Sequence, residues 1–575
     1  MRRNRAVAAA CIALVLFCLT GCASVPAAPA ATRSPVLVIV TAPLSWSQVT
    51  PTDMPVLATL AQKAASGMVV SRTPAESGRV LGTYQSGTGG EIASVVISGT
   101  AAEMDVAIAE ALGRVTADTA VVVVSRLAGA TPGHGAPARV VVVSGGGYDA
   151  GLLSSMSTRR AGIVTDSDVA ATVAHIAGEP ASASGAAVSV IDDGRTSTER
   201  AAWLARVSAF LSAVERIRVP IFNIYTAVMV VLLLGGWLVA EKYRTAARYA
   251  YWSVVLRRII LLGLVLPAGA TLLHVVDRFP GTPQRIVALM LAASGLVWIF
   301  AEFAWHKWGT AGAVGFAGIA TALVLGIDQL AGATLSLSSI FSYSPLIGFR
   351  FFGIGNEGAA ILVGGALVGL ALEMDAAKTA PPVRRRLIAV AGIAAVVLCA
   401  APFLGANVIV SVWGTVTFAV FWIAAENRRI RPLDVAVIAV IVIAALASMV
   451  ALDRFTGGTH IGRAVGEAAG GGLVDLLSAR LATSIRIFID SPLPAIVLVI
   501  SAVLAYLRLR PRGRMAAVFE RYPVFAAAMT AGLVGGFVGA FSEDSGVVVL
   551  ALVIAYLVGG LVALMLETDG EVTAG

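Results

Sequence analysis

The sequence predicts an extracytoplasmic α/β domain followed by an all-α polytopic membrane bundle of about 11 helices. Three observations predict it. A basic and then apolar N-terminus reads as an export signal, residues 34–200 mix β-branched runs with amphipathic segments, and apolar runs of span length recur from residue 219 onward. Composition agrees: 58% of the 575 residues are hydrophobic and only 13% are charged, where soluble domains carry roughly a quarter. The net charge of +8 does not point to nucleic acid. Lys and Arg sit in short blocks between apolar runs, as membrane topology requires, so no nucleic-acid partner is expected.

Residues 1–22 carry the signal: "MRRNRAVAAACIALVLF" has a charged n-region and an apolar h-region. It ends in Leu19-Thr20-Gly21-Cys22, which resembles the bacterial lipoprotein lipobox and would make Cys22 the lipidated first residue. Cleavage after Ala28–Ala30, or an uncleaved anchor, are the alternatives; each places the domain beyond it outside the cytoplasm. Of four cysteines, Cys11, Cys18 and Cys22 are N-terminal and Cys399 lies in an apolar run, so no disulfide framework is available.

Within 34–200, "PVLVIV" (35–40), "AVVVVS" (120–125) and "ARVVVVSG" (138–145) read as buried strands. Residues 53–66, 101–115 and 166–179 read as amphipathic helices, the first and third opening with acidic caps. Alternating strands and helices predict a parallel sheet. A polar tail then leads through a helix into the first span.

The apolar runs fall at about 219–240, 256–276, 285–304, 309–327, 356–374, 386–402, 406–425, 433–452, 493–508, 522–540 and 546–566. Each approaches the ~20 residues that cross the hydrocarbon. With the α/β domain outside, the inner loops are "EKYRTAARYAYW", "AWHKWGT", "AKTAPPVRRR", "ENRRIRPLD" and "RLRPRGRM". These are the basic blocks, as the positive-inside rule asks. The tail 567–575 is then cytoplasmic, and the expected location is the bacterial plasma membrane.

That topology places "RFFGIGNEG" (350–358), "APFLGAN" (401–407), "GGTHIGRAVGEAAGGG" (457–472) and "FSEDSG" (541–546) on the domain side. Arg350, Arg454, Arg463, Arg480 and Arg486 stand where the topological rule disfavours them. Either they pair with Asp453, Glu467, Asp475, Asp490, Glu543 and Asp544 and tie the outer loops together, or they form a site for an anionic head group. Residues 471–492 read as a helix with Arg480 and Arg486 off its apolar face, lying in the interface or packed on its own bundle. Asn356, Glu357 and Asn407 sit at helix mouths, where ionisable and polar groups are functional suspects. Glu357 could equally complement a helix dipole, and His460, with no His or Cys at ligand spacing, could be a loop residue.

The segment 151–180, with its Thr-Asp-Ser-Asp-Val-Ala helix start, resembles the C-terminal part of alkaline-phosphatase-superfamily domains, and "DMPVLATLAQKAASGMVV" (53–70) resembles their early helix. The whole chain resembles a group of bacterial multi-pass proteins that join such a domain to motifs standing here as Arg350–Glu357, Gly405–Asn407, His460–Arg463 and Asp544–Gly546. The resemblance implies a two-metal phosphatase fold, but its ligand set is missing. The first strand runs into Thr41-Ala42-Pro43-Leu44-Ser45 with no carboxylate, and the domain offers only His134 and His175. Ser86 or Thr88 could mimic a nucleophile, though each reads as a loop residue. The domain is therefore expected to be degenerate, with no catalytic residue, metal or cofactor.

The functional expectation is a non-enzymatic, transporter- or flippase-like envelope protein. Its outward site for an anionic or lipid-linked precursor would comprise Arg350, Asn356, Glu357, Asn407, His460, Arg463, Arg480, Arg486, Glu543 and Asp544. The alternatives are a membrane-embedded transferase acting on lipid phosphates, with Glu357, Asp544 or His460 as base or ligand, and a scaffold for envelope-assembly proteins. Membrane lipids are partners in every case.

Overall fold

The computed structural model describes residues 26–71, 92–126, 138–180, 185–246, 248–337, 339–347, 350–455, 493–544 and 546–567. Its β-branched runs form β1 (Val36–Thr41), β2 (Ala65–Val70), β3 (Ile92–Ile97), β4 (Ala120–Ser125), β5 (Arg139–Ser144), β6 (Gly151–Ser154), β7 (Ile163–Thr165) and β8 (Ser189–Ile191). Three helices accompany them: α1 (Pro55–Lys63), α2 (Ala101–Leu112) and α3 (Asp166–Ala177). The strand order is β3-β1-β4-β5-β2-β6-β8, with β7 also paired to β2.

The sheet is mixed, which corrects the expected parallel one. β1 runs parallel to β3 and β4, but β5 is antiparallel to both β4 and β2, and β8 is antiparallel to β6. The physical reason lies in the composition of the link from Ser125 to Arg139: a parallel return usually runs through a crossover helix, and this stretch is rich in Gly and Pro, which disfavour one.

The caps also differ from expectation. α3 is capped by Thr165, whose side chain accepts from the Asp168 amide while Asp168 reaches back, a reciprocal capping box. α1 has Met54 at its N-cap and no local side-chain cap. Asp105 of α2 supplies one from a distance, accepting from the Val56 and Leu57 amides at 2.9 Å each. No local pattern could reveal a cap brought by another helix.

Alternation along the strands gives the sheet two apolar faces. Val38, Val40, Val122 and Val143 pack on Val169, Val173 and Ile176 of α3. Leu37, Ile39, Val123 and Val142 face the other way, in one continuous core with Leu57 of α1, Ile108 of α2 and the first turns of the long helix beyond the domain. That helix, α4 (Ser197–Lys242), has 46 residues and is interrupted only by Pro220. At 1.5 Å per residue it is about 69 Å long, so one rod serves both the α/β domain and the membrane.

The remaining helices are α5 (Tyr249–Val276), α6 (Pro283–Leu330), α7 (Asn356–Ala376), α8 (Pro381–Ala400), α9 (Val410–Ala424), α10 (Pro432–Phe455), α11 (Leu493–Leu509), α12 (Gly513–Arg521), α13 (Pro523–Ser542) and α14 (Val547–Met565). Seven of the described helices, α4, α5, α6, α7, α10, α13 and α14, are long and apolar enough to cross a membrane. The chain is thus a multi-pass membrane protein by the length and apolarity of its helices. α9 and α11 are apolar but shorter. α14 is central, with 83% of its most apolar stretch buried, whereas α10, at 6%, lies at the perimeter.

The expected spans at 285–304 and 309–327 join within α6 at a one-residue break rather than through a polar loop. Gly309 takes φ 69° and ψ −168° there, a conformation that glycine alone reaches without cost. Arg257 of α5 buttresses the break: it donates to the Thr310 hydroxyl at 2.8 Å and stacks 4.6 Å from the Trp305 ring centroid.

Candidate functional site

The α/β domain is fastened to the bundle by a short excursion between β6 and β7. Ser155 and Thr158 fold it, through Ser155 Oγ donating to Asp168 at 2.8 Å and Thr158 Oγ1 donating to the Ile163 carbonyl at 2.6 Å. The turn presents Arg159 and Arg160 to the bundle. Arg160 donates to the carbonyls of Phe351 (2.8 Å), Gly332 (3.1 Å) and Ala333 (2.9 Å). Arg159 donates to the Pro402 carbonyl at 2.9 Å and stacks 4.4 Å from the centroid of Phe352.

The loops gripped in this way are the ones that precede α7 and α9. Both are non-helical yet largely buried, a state that membrane proteins tolerate only where other groups satisfy the backbone. Here the loops satisfy each other. The Ile354 amide donates to the Gly405 carbonyl at 2.8 Å and the Asn407 amide to the Cys399 carbonyl at 2.9 Å. Gly353 makes the approach feasible: at φ 79°, a Cβ there would lie 2.1 Å from the Gly405 carbonyl oxygen.

Arg350 completes the junction, donating through one guanidinium nitrogen to the carbonyls of Ile354 (2.9 Å), Gly405 (3.4 Å) and Ala406 (3.4 Å). Among the described residues Arg350 thus meets backbone carbonyls rather than a carboxylate, because unwound chain in an apolar setting offers acceptors that must be met. The remaining Arg350 nitrogens, Nε and the second terminal one, make no hydrogen bond among the described residues.

Three further stretches meet here. Asn407 donates to the Asn356 side-chain oxygen at 2.9 Å, and Asn356 donates to Asp544 at 2.6 Å. Trp413 of α9 donates its indole N–H to Glu543 at 3.0 Å. Glu357, in the first turn of α7, is partly exposed and lies within electrostatic range of Arg218, Arg350 and Asp544. Arg350, Asn356, Glu357, Asn407, Glu543 and Asp544 thus converge at the end of the bundle that carries the α/β domain. His460, Arg463, Arg480 and Arg486 lie outside the described residues, as do Cys22, His134, Ser86 and Thr88. Asp453, an expected ion-pair partner, is buried near the C-terminal end of α10.

Several residues here escaped the sequence reading. Arg159 and Arg160 looked like ordinary domain arginines. Arg218 stands one residue before the first apolar run, at the end of that run nearer the α/β domain; the same test that singled out Arg350 would have found it. Tyr343, in the Ser-rich loop before Arg350, carried no signal beyond its neighbours.

In the α/β domain, the carboxyl edge of the parallel strands is where ligands of such sheets bind. Thr41 ends β1 there, and a buried pair holds the middle: Arg139 meets Asp166 at 3.0 Å, with the Ser71 hydroxyl hydrogen-bonded to both. Arg139 also donates to the Ser125 carbonyl at 2.7 Å. A guanidinium at the centre and an engaged carboxylate do not suit a metal pair, and among the described residues no group of three or more His, Cys, Asp or Glu could hold a metal ion. His175 sits away from this edge, its Nε2 2.7 Å from the Pro29 carbonyl.

No family model matches the chain, and no curated protein or solved structure is similar to it.

Proposed function

We propose that this multi-pass protein belongs to the bacterial plasma membrane, with its α/β domain outside the cytoplasm and about eleven crossings. The domain-side cluster is the outward-facing site of a transporter- or flippase-like protein acting on an anionic or lipid-linked envelope precursor. One observation carries the reading: two buried, unwound loops, at Arg350–Gly355 and Ala401–Ile409, bring Asn407, Asn356 and Asp544 into one hydrogen-bonded chain at helix mouths, with Glu543 beside it on the Trp413 indole. Transporters place substrate sites at such breaks, where helix ends and freed backbone groups are available. Buried polar groups in a membrane protein are costly, so they mark function by default. The basic blocks favour the orientation: Arg384–Arg386 open α8, Arg428–Arg431 link α9 to α10, and Arg508–Arg514 run from the end of α11 into α12, where Arg514 meets Glu241 at the end of α4 away from the domain, as a cytoplasmic end requires. The α/β domain, resembling an alkaline-phosphatase-superfamily fold without its ligands, then acts as a cap.

The test is complementation of a null strain with Glu357→Ala, Asn356→Ala and Asp544→Asn, with the envelope precursors extracted and quantified. Accumulation of a lipid-linked precursor with each variant is expected. Normal growth and envelope composition with all three, at wild-type protein levels, would remove the basis of this reading.

A further inference from the structure

Asp544 and Glu543 are hydrogen-bonded, to Asn356 and Trp413, while several donors of the cluster are not. Arg218, on α4, makes no hydrogen bond or ion pair among the described residues, and its Nε is buried without a partner. Arg350 spends one nitrogen on carbonyls and has others to spare. The Tyr343 hydroxyl is also buried, beside Arg160, with a geometry that falls short of a hydrogen bond; the residue is only 9% exposed. Burial raises the Tyr343 phenol above its ordinary value, against the pull of Arg160 and Arg350, so it stays a protonated donor. A buried donor without an acceptor costs free energy unless water or a ligand meets it.

These donors are neighbours. Phe222 and Tyr225 of α4 pack on Phe341, with ring centroids 6.0 and 4.8 Å apart. Arg218 precedes Phe222 by one helical turn, so it lies on the same face, next to the loop that carries Tyr343. The Tyr343 ring in turn lies against Gly355, the N-cap of α7, 3.5 Å from where a Cβ would stand. Gly355 has no side chain with which to cap that helix. A helix start adds its own amide donors and a positive dipole end, and Arg218 and Arg350 both act electrostatically on Glu357 in its first turn.

We propose that Arg218, the unspent nitrogens of Arg350 and the Tyr343 hydroxyl, gathered at the start of α7, form a site for a phosphate or diphosphate head group. This rests on the transport reading above and names the chemistry of the substrate's head. A phosphate suits it because it is acceptor-only when ionised, and Arg forks match its oxygens. Glu357 then acts as the resident anion at the helix start, and the head group competes with it for the same donors.

The test uses the purified full chain in phosphatidylcholine nanodiscs, titrated with a long-chain polyprenyl phosphate, the parent polyprenol and inorganic pyrophosphate, and followed by shift of the unfolding midpoint. The polyprenyl phosphate is expected to bind and the neutral alcohol to bind at least tenfold more weakly. Arg218→Gln should weaken the phosphate at least tenfold, and Tyr343→Phe several-fold, while neither alters weak binding of the alcohol. Arg218→Lys should recover part of the affinity, which keeps the test decisive if Arg218→Gln folds poorly. Competition by pyrophosphate assigns recognition to the head group alone; its absence, with phosphate-dependent lipid binding retained, assigns a lipid-borne head. Equal affinity for alcohol and phosphate, no binding of any of the three, or phosphate binding unchanged in the Arg218 variants, would overturn the proposal. Failure of transport with Arg218-dependent phosphate binding intact would instead sink the transporter reading alone.

Discussion

Replacing Arg160 by alanine should loosen the grip of the α/β domain on the loops that build the site. The side chain donates to three carbonyls, at 2.8, 3.1 and 2.9 Å, from two separate stretches of the bundle. Hydrogen bonds from a charged donor contribute about 1.5–3 kcal/mol each when buried. One of the three is exposed to water, and water replaces part of what is lost at the others. The net cost is therefore about 2–4 kcal/mol for the whole side chain, well below the sum. The effect should be local, so the assay is hydrogen exchange at the Ile354 amide, which donates to the Gly405 carbonyl at the heart of the junction. A loss of that size accelerates exchange by about 30- to 900-fold. Arg160→Lys, a point charge without the planar fork, should recover only part of the protection. Arg114→Ala is the control, since Arg114 is 76% exposed and paired only with Glu110 on its own helix. If Arg160→Ala changes Ile354 exchange by no more than Arg114→Ala does, the domain is not held by this contact and the reasoning fails.

The same geometry sets two other outcomes, and the domain's junction with α4 sets a third. Asn356→Leu removes both links of the Asn407–Asn356–Asp544 chain and leaves buried polar groups without partners; it should cost about 2–4 kcal/mol, and a cycle with Asn407→Leu should show coupling above about 0.5 kcal/mol. Gly353→Ala should prevent the loop from closing on Gly405, because the added carbon would meet its carbonyl oxygen at 2.1 Å in a left-handed conformation; exchange at Ile354 should rise with little change in the α/β domain. The third concerns acid. Burial would raise the Asp193 carboxyl, but hydrogen bonds from Arg200 and Arg195, with the Arg200 charge, hold it below the usual range. A depressed carboxylate contributes stability that is fully present above its unfolded value of about 3.9 and is lost as pH falls through the lower folded value. Asp193→Asn should flatten the acid side of the unfolding-midpoint profile below about pH 4; an unchanged slope would show that the pair does not carry it.

Much of the architecture was legible because the signals are local and periodic. Val36–Thr41, Ala120–Ser125 and Arg139–Ser144 are runs of β-branched residues, and such runs favour strands wherever they are placed. The apolar runs forced helices, since backbone in lipid must satisfy itself within the segment. The rule that places basic residues on one face of the membrane directed attention to Arg350, Asn407 and Glu543 together. The strands β6 to β8 were missed because each has four residues or fewer, too short for alternation to register.

What the chain determined by itself was its division into an α/β domain and an apolar bundle, and the polar stretches that interrupt the latter, because these rest on residue type and spacing along the backbone. What only the tertiary structure decided was partnership. Among the described residues Arg350 meets carbonyls and not carboxylates, Asp105 caps a helix whose amides stand 49 and 48 residues away in sequence, and Arg218 comes to lie beside the loop of Tyr343. Hydrogen bonds and charges act over a few ångströms of space, so residues distant in sequence acquire partners only once close packing has fixed which helix lies beside which.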